Sequence, residues 1–159
     1  FKANPLDKQL YIFEEFYQKK MLNCDIAEAI KHLGFAKERI RADCAEPKSN
    51  DDLKRLGIGR ITPSVKGRDS ILNGIAAISE YHITVDPKCV NMIRELSTYI
   101  YDNKLNDHGQ KMPRDSDNHL CDALRYAFTD VKLFHPSLND NPDYRLSPIA
   151  ENLNRKWDI

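Results

Sequence analysis

Neither sign of charge is in excess in this sequence: 24 Lys and Arg stand against 24 Asp and Glu, a formal net charge of zero over 159 residues. A domain that grips nucleic acid by bulk positive charge is thereby excluded. Any such contact must be a local patch, such as one built around metal ions. No apolar run approaches the ~20 residues of a membrane span, so no membrane partner is expected. The start, Phe1-Lys2-Ala3-Asn4-Pro5, carries no secretion signal and no initiating Met, and reads as a piece of a longer polypeptide. The four cysteines (Cys24, Cys44, Cys89, Cys121) form no CxxC pair. Their spacing argues against a zinc site or disulfide framework and for reduced, mostly buried thiols in a cytosolic protein. There is no GxxxxGKS/T loop, so this stretch is not itself a nucleotide-driven motor. Nor does a GxSxG elbow or an activated cysteine offer a covalent nucleophile. Repeats and low-complexity segments are also lacking.

What is present suits one globular domain: 41% hydrophobic and 30% charged residues. Residues 9–17 alternate aromatic and β-branched side chains and predict a strand. The tight turn before it, at 4–8, makes residues 1–3 the end of an antiparallel partner. Ile26, Ala29, Ile30 and Leu33 lie at helical spacing, with Asn23 or Asp25 as N-cap and Gly34 as stop. A short strand over 39–43 follows, then a helix from about residue 50 to Leu56, broken by Gly57 and Gly59, and a short strand at 60–63. Next come a helix over 69–79, a strand over 82–85, and a helix over 89–101 that turns Val90, Ile93, Leu96, Ile100 and Tyr101 inward. An exposed hairpin or loop over 102–118 leads to a last helix over 120–128. Strands that open as a hairpin and then alternate with helices imply an α/β domain with a mixed sheet flanked by helices. We assign residues 1–130 to this domain and 131–159, with Pro136, Pro142 and Pro148, to an irregular tail.

Two acidic positions stand out. Asp43 ends a short strand, where α/β sheets place their sites; it can equally cap the following turn. In the run Asp115 to Asp122, His119 and Asp122 are three apart and share a helical face; a solvated helix start explains the same residues. Acids gathered from separate elements offer the hard oxygen ligands that Mg²⁺ and Mn²⁺ prefer. Two such ions about 3.5–4 Å apart activate a water and stabilise the leaving oxygen in phosphodiester cleavage. Lys66-Gly67-Arg68, in a loop before a helix, suits a phosphate. Lys104, Lys111 and Arg114 on the polar loop can track a DNA backbone. A solvated loop accounts for all five cations as well.

Four segments then carry a resemblance: ADCAEPKS (42–49), KGRDSILNGI (66–75), HITVDP (82–87) and DNHLCDALRYAF (117–128). In this order the chain resembles, over roughly residues 8–130, the C-terminal nuclease domain of tailed-phage terminase large subunits. The resemblance implies an RNase H-like (ribonuclease H-like) fold and an endonuclease that cuts double-stranded concatemeric DNA during packaging. It implies a two-metal site for Mg²⁺ or Mn²⁺ with Asp43 and Asp122 as ligands and His119 one turn before the second. It also implies an ATPase motor domain of the same protein, the terminase small subunit and the portal protein as partners, in the bacterial host cytoplasm. Glu46 lies close to Asp43 and reads as a helix-entry residue. The family's first catalytic aspartate lies on a first strand with a stretch like GLDFG. No such stretch occurs here, so the first strand is expected to be missing and the site incomplete. Glu14 and Glu15 match an acid pair on a later strand that is not the primary ligand set. Other RNase H-like nucleases (resolvase or integrase type) and a non-catalytic docking module are the alternatives.

Overall fold

The computed structural model describes residues 1–67, 69–105 and 108–133, without the side chains of Lys104, Lys132 and Leu133. Arg68, the side chain of Lys104 and the tail from residue 134 onward therefore lie outside the described residues.

Strand β1 (Lys2–Asn4) and strand β2 (Gln9–Ile12) pair antiparallel. Asn4 sets the turn between them: its Oδ1 accepts the Leu6 N–H at 3.1 Å, an Asx turn. Counting strands in chain order, β5 (His82–Val85) adds parallel to the other edge of β2, giving a mixed sheet of order β1-β2-β5. The expected strand over 9–17 thus stops at Ile12. Beyond it, Glu14 pairs with Lys88 at 2.9 Å. Glu15 accepts the Asn91 and Met92 N–H groups at 3.0 and 2.8 Å, capping helix α4 (Val90–Thr98). A backbone that spends its side chains on a helix start has left the sheet.

The remaining strands do not join that sheet. β3 (Ile40–Ala42) and β4 (Ile61–Pro63) form a separate parallel pair, and β6 (Tyr101–Leu105) and β7 (Lys111–Pro113) an antiparallel hairpin. The helices are α1 (Asn23–His32), α2 (Pro47–Arg55), α3 (Ser70–Ser79), α4 and α5 (His119–Leu133). Pro47 at the first helical position lets α2 begin three residues before the sequence pattern suggested. Both α1 and α2 end in the same left-handed glycine motif. Gly34 (φ +82°) and Gly57 (φ +96°) direct their N–H groups to Lys31 and Lys54, and the next residues reach back to Ile30 and Leu53. The N-cap of α1 is Leu22 rather than Asn23 or Asp25; Asp25 serves from inside, accepting the Leu22 N–H at 3.1 Å.

Two apolar clusters result. Leu10, Ile12, Ala77, Tyr81, Met92, Leu124 and Phe128 join the mixed sheet to α3, α4 and α5, with Phe128 edge-on to Tyr81 at 4.9 Å. Ala27, Leu53, Ile58 and Ile61 bind α1 and α2 to β4. Cys89 and Cys121 are buried, and burial pushes the Cys121 thiol up to about 12; Cys24 is exposed and Cys44 half-buried. Among the described residues no helix is long and apolar enough to cross a membrane.

The division of the sheet leaves a gap. Among the described residues β1 pairs only with β2, and β3 only with β4. Ala3 of β1 and Arg41 of β3 both line one groove of about 410 Å³, together with Ala127, Asp130 and Val131 of α5. Two strand edges with unused backbone donors and acceptors thus flank a slot backed by a helix.

Candidate functional site

Helix α5 carries two of the candidate residues, His119 and Asp122. Its N-terminal amides would be orphans but for Glu95 of α4, whose Oε2 accepts the Leu120 and Cys121 N–H groups at 2.7 and 3.1 Å. That cap fixes where the first turn begins, and with it His119 and Asp122. His119 is the exposed first residue of α5, its ring 6.4 Å from that of Tyr17. Asp122 Oδ1 accepts from Arg125 Nη2 at 2.9 Å.

Arg125 is buried, its side chain 8% exposed, on the side of α5 that packs on α3. Gly74 of α3 makes this possible. A Cβ there would lie 2.6 Å from Arg125 Cγ, so the stem passes only where the helix has no side chain. The guanidinium also lies 4.7 Å from the Tyr126 ring.

Asp43 follows β3 directly and is linked to the same helix only through Lys66. Its Oδ1 accepts the Ala45 N–H at 3.1 Å and pairs with Lys66 Nζ at 2.8 Å. Asp43 therefore caps its turn, as one sequence reading has it, and carries an ion pair as well. Lys66 holds the Asp43 carboxyl below the usual carboxylate range. Lys66 Nζ also stands 5.8 Å from the Tyr126 ring. Tyr126 is one turn from Asp122 on α5, so the chain Asp43–Lys66–Tyr126–Arg125–Asp122 runs along one flank of the helix.

The other candidates scatter. Glu46 accepts from Ser49 Oγ at 2.9 Å at the start of α2, a helix-entry role. Lys111 opens β7 and Arg114 follows it, both exposed on the hairpin that leads into α5. Among the described residues no three His, Cys, Asp or Glu side chains come together as a metal cluster.

A second tie lies further along α5. Arg41 of β3 donates to both carboxylate oxygens of Asp130 and to the Pro63 carbonyl at 3.0 Å, joining β3, β4 and α5. Arg41 holds the Asp130 carboxyl below its usual range. A depressed carboxylate contributes stability that is complete above its unfolded value, near 3.9, and is lost as pH falls through the folded value. Asp130→Asn should cost roughly 2 kcal/mol at pH 7, and the difference from wild type should shrink as the pH drops below about 4. Thermal melts across pH check this; a gap that stays constant in acid would show that charge is not its source.

The sequence reading missed Arg125, Tyr126, Arg41, Asp130 and Glu95. A signal existed for Arg125: it follows Asp122 by three residues, within reach on a helix.

A hairpin that continues into helix-linked parallel strands, with a long last helix behind them, defines an RNase H-like α/β domain. Residues 2–130 match the family described as the terminase RNase H-like domain, and the chain belongs to that family. It is 36% identical over 125 residues to the terminase large subunit of Bacillus phage SPP1, covering 76% of this chain and 29% of that protein. It is 31% identical over 150 residues to the PBSX phage terminase large subunit of Bacillus subtilis, covering 94% and 34%. The chain thus spans about a third of the length of these curated relatives. Among solved structures, it is similar to the large terminase nuclease domain of bacteriophage SPP1 with bound Mn. The TM-score is 0.71 at 31% identity, covering 81% of this chain and 75% of that one.

Proposed function

We propose that this chain is the nuclease domain of a phage or prophage packaging terminase, cutting double-stranded concatemeric DNA with divalent-cation assistance. The observation that carries this is the match of residues 2–130 to the terminase RNase H-like domain, and a relay of contacts through Lys66, Tyr126 and Arg125 links Asp43 to Asp122, 79 residues apart in sequence (122 − 43). The SPP1 relative with bound Mn supports a divalent metal here.

The donor set fits Mg²⁺ or Mn²⁺ in kind, being carboxylate oxygens throughout, and falls short in number. Asp43 and Asp122 would hold the ions, and a third acid must come from elsewhere. A further strand pairing with the open edges of β1 and β3 would unite the two sheets and offer a place for such an acid. When bound, the ions would supply a Lewis acid that draws negative charge from the scissile phosphodiester. The chain's own residues do the rest of the positioning. Lys66, Arg68, Lys104, Lys111 and Arg114 hold backbone phosphates, and His119 orients a ligand or the DNA beside Asp122. The ATPase motor domain of the same protein, the small subunit and the portal deliver the substrate in the host cytoplasm.

The test uses the full-length polypeptide and supercoiled plasmid. Nicked and linear forms should accumulate with Mn²⁺ or Mg²⁺ and stop with EDTA. Plasmid left intact, with no metal-induced rise in melting temperature, would instead favour a docking module.

A further inference from the structure

We propose that Lys66 is a displaceable counter-cation: it neutralises Asp43 until that carboxylate takes up a divalent cation, and then moves to a DNA phosphate. The inference rests on the nuclease reading and adds a regulated step to it.

The two ion pairs of the site are built differently. Arg125 is locked, with 8% of its side chain exposed, its stem passing over Gly74 and its head against Asp122 and Tyr126. Lys66 and Asp43 are 48% and 50% exposed, so their bond can open into water. Lys66 sits in the segment between β4 and α3. Its ammonium is a point charge on a flexible four-carbon stem, free to change partners in a way a planar guanidinium is not. Tyr126 offers it a second resting place on α5, so that leaving Asp43 does not mean leaving the site.

Charge decides the exchange. An ammonium 2.8 Å from Asp43 Oδ1 occupies the position from which a cation would approach that oxygen. An ammonium at Oδ1 repels a second cation arriving at the same carboxylate, so Lys66 opposes cation uptake when DNA is absent. A phosphate nearby reverses the balance, giving Lys66 a new anionic partner as Asp43 is claimed. The site is thereby biased to assemble on DNA rather than ahead of it.

The test is Mn²⁺ titration calorimetry on the full-length polypeptide without DNA. Lys66→Ala and Lys66→Gln should bind Mn²⁺ about 5-fold tighter than wild type, the scale of one exposed ion pair. Lys66→Arg, which keeps the charge and grips a carboxylate more firmly, should bind Mn²⁺ no tighter than wild type. The Ala and Gln variants should also bind DNA with a salt dependence flatter by about one phosphate contact. A merely structural lysine would not raise metal affinity when removed. Unchanged or weaker Mn²⁺ binding in both neutral variants, with wild-type binding abolished by Asp43→Asn, overturns the exchange and leaves the nuclease reading standing. An unchanged salt slope overturns the transfer to phosphate. If wild type takes up no Mn²⁺ and cuts no DNA, the nuclease reading and this one fall together.

Discussion

Asp122→Asn in the full-length polypeptide is expected to fold as wild type and to lose metal-dependent plasmid nicking by about 10³-fold. That is beyond the 10–100-fold typical of losing a group that only supports a metal ligand. The asparagine choice matters because it separates the proposed metal role of Asp122 from its partnership with Arg125. Toward the site the aspartate is a carboxylate that can hold a hard cation; toward the core it is the acceptor for Arg125, whose side chain is 8% exposed. Asn keeps an oxygen where Arg125 Nη2 donates and removes only the charge. Asp122→Ala removes both, leaves a buried guanidinium without its acceptor, and should also destabilise the domain by about 2–4 kcal/mol. Nicking rates and melting temperatures of the pair separate the roles. If Asp122→Asn nicks at the wild-type rate, Asp122 is only the structural partner of Arg125, and the catalytic assignment is lost.

The division between what was legible in the sequence and what was not follows the range of the interactions. Local signals read well. The Asn4 turn, the stop at Gly34, the strand ends at Ala42 and Val85, and the hairpin before the last helix all depend on neighbours a few residues away. Asp43 and Asp122 were singled out as candidates through the motifs around them. The Lys66 pairing was not, because it crosses 23 residues (66 − 43), and the i,i+3 spacing of Asp122 and Arg125 gives their pairing but not the burial that Gly74 allows. Arg41 and Asp130, 89 residues apart, gave no signal. The single mixed sheet became two because β1 and β3 each lack a neighbour among the described residues, which no pattern within a strand reveals.

The clearest misreading was the phase of α4, and it hid the residue behind the last prediction. Val90, Ile93, Ile100 and Tyr101 were expected inside and lie 61%, 40%, 48% and 51% exposed. The buried stripe is Cys89, Met92 and Glu95 instead; Leu96, also expected inside, is half-buried against the core, and Tyr101 belongs to β6. A glutamate at a core position looks like an error of pattern until its partner is seen. Glu95 is fully buried because its Oε2 replaces the missing intrahelical acceptors at the start of α5, where the helix dipole favours negative charge. Glu95→Ala removes that cap and opens a cavity, and should cost about 3 kcal/mol, lowering the melting temperature by roughly 10 °C. Glu95→Gln keeps a carbonyl oxygen of the same reach and should cost only about 1 kcal/mol. Hydrogen exchange gives the specific signature. The Leu120 and Cys121 amides should exchange faster in Glu95→Ala, while those of Glu95→Gln stay close to wild type. Because that first turn carries His119 and Asp122, nicking by the alanine variant should also fall at temperatures well below its melting point. Unchanged amide exchange in Glu95→Ala would mean that packing alone holds the start of α5, and that the buried carboxylate positions nothing.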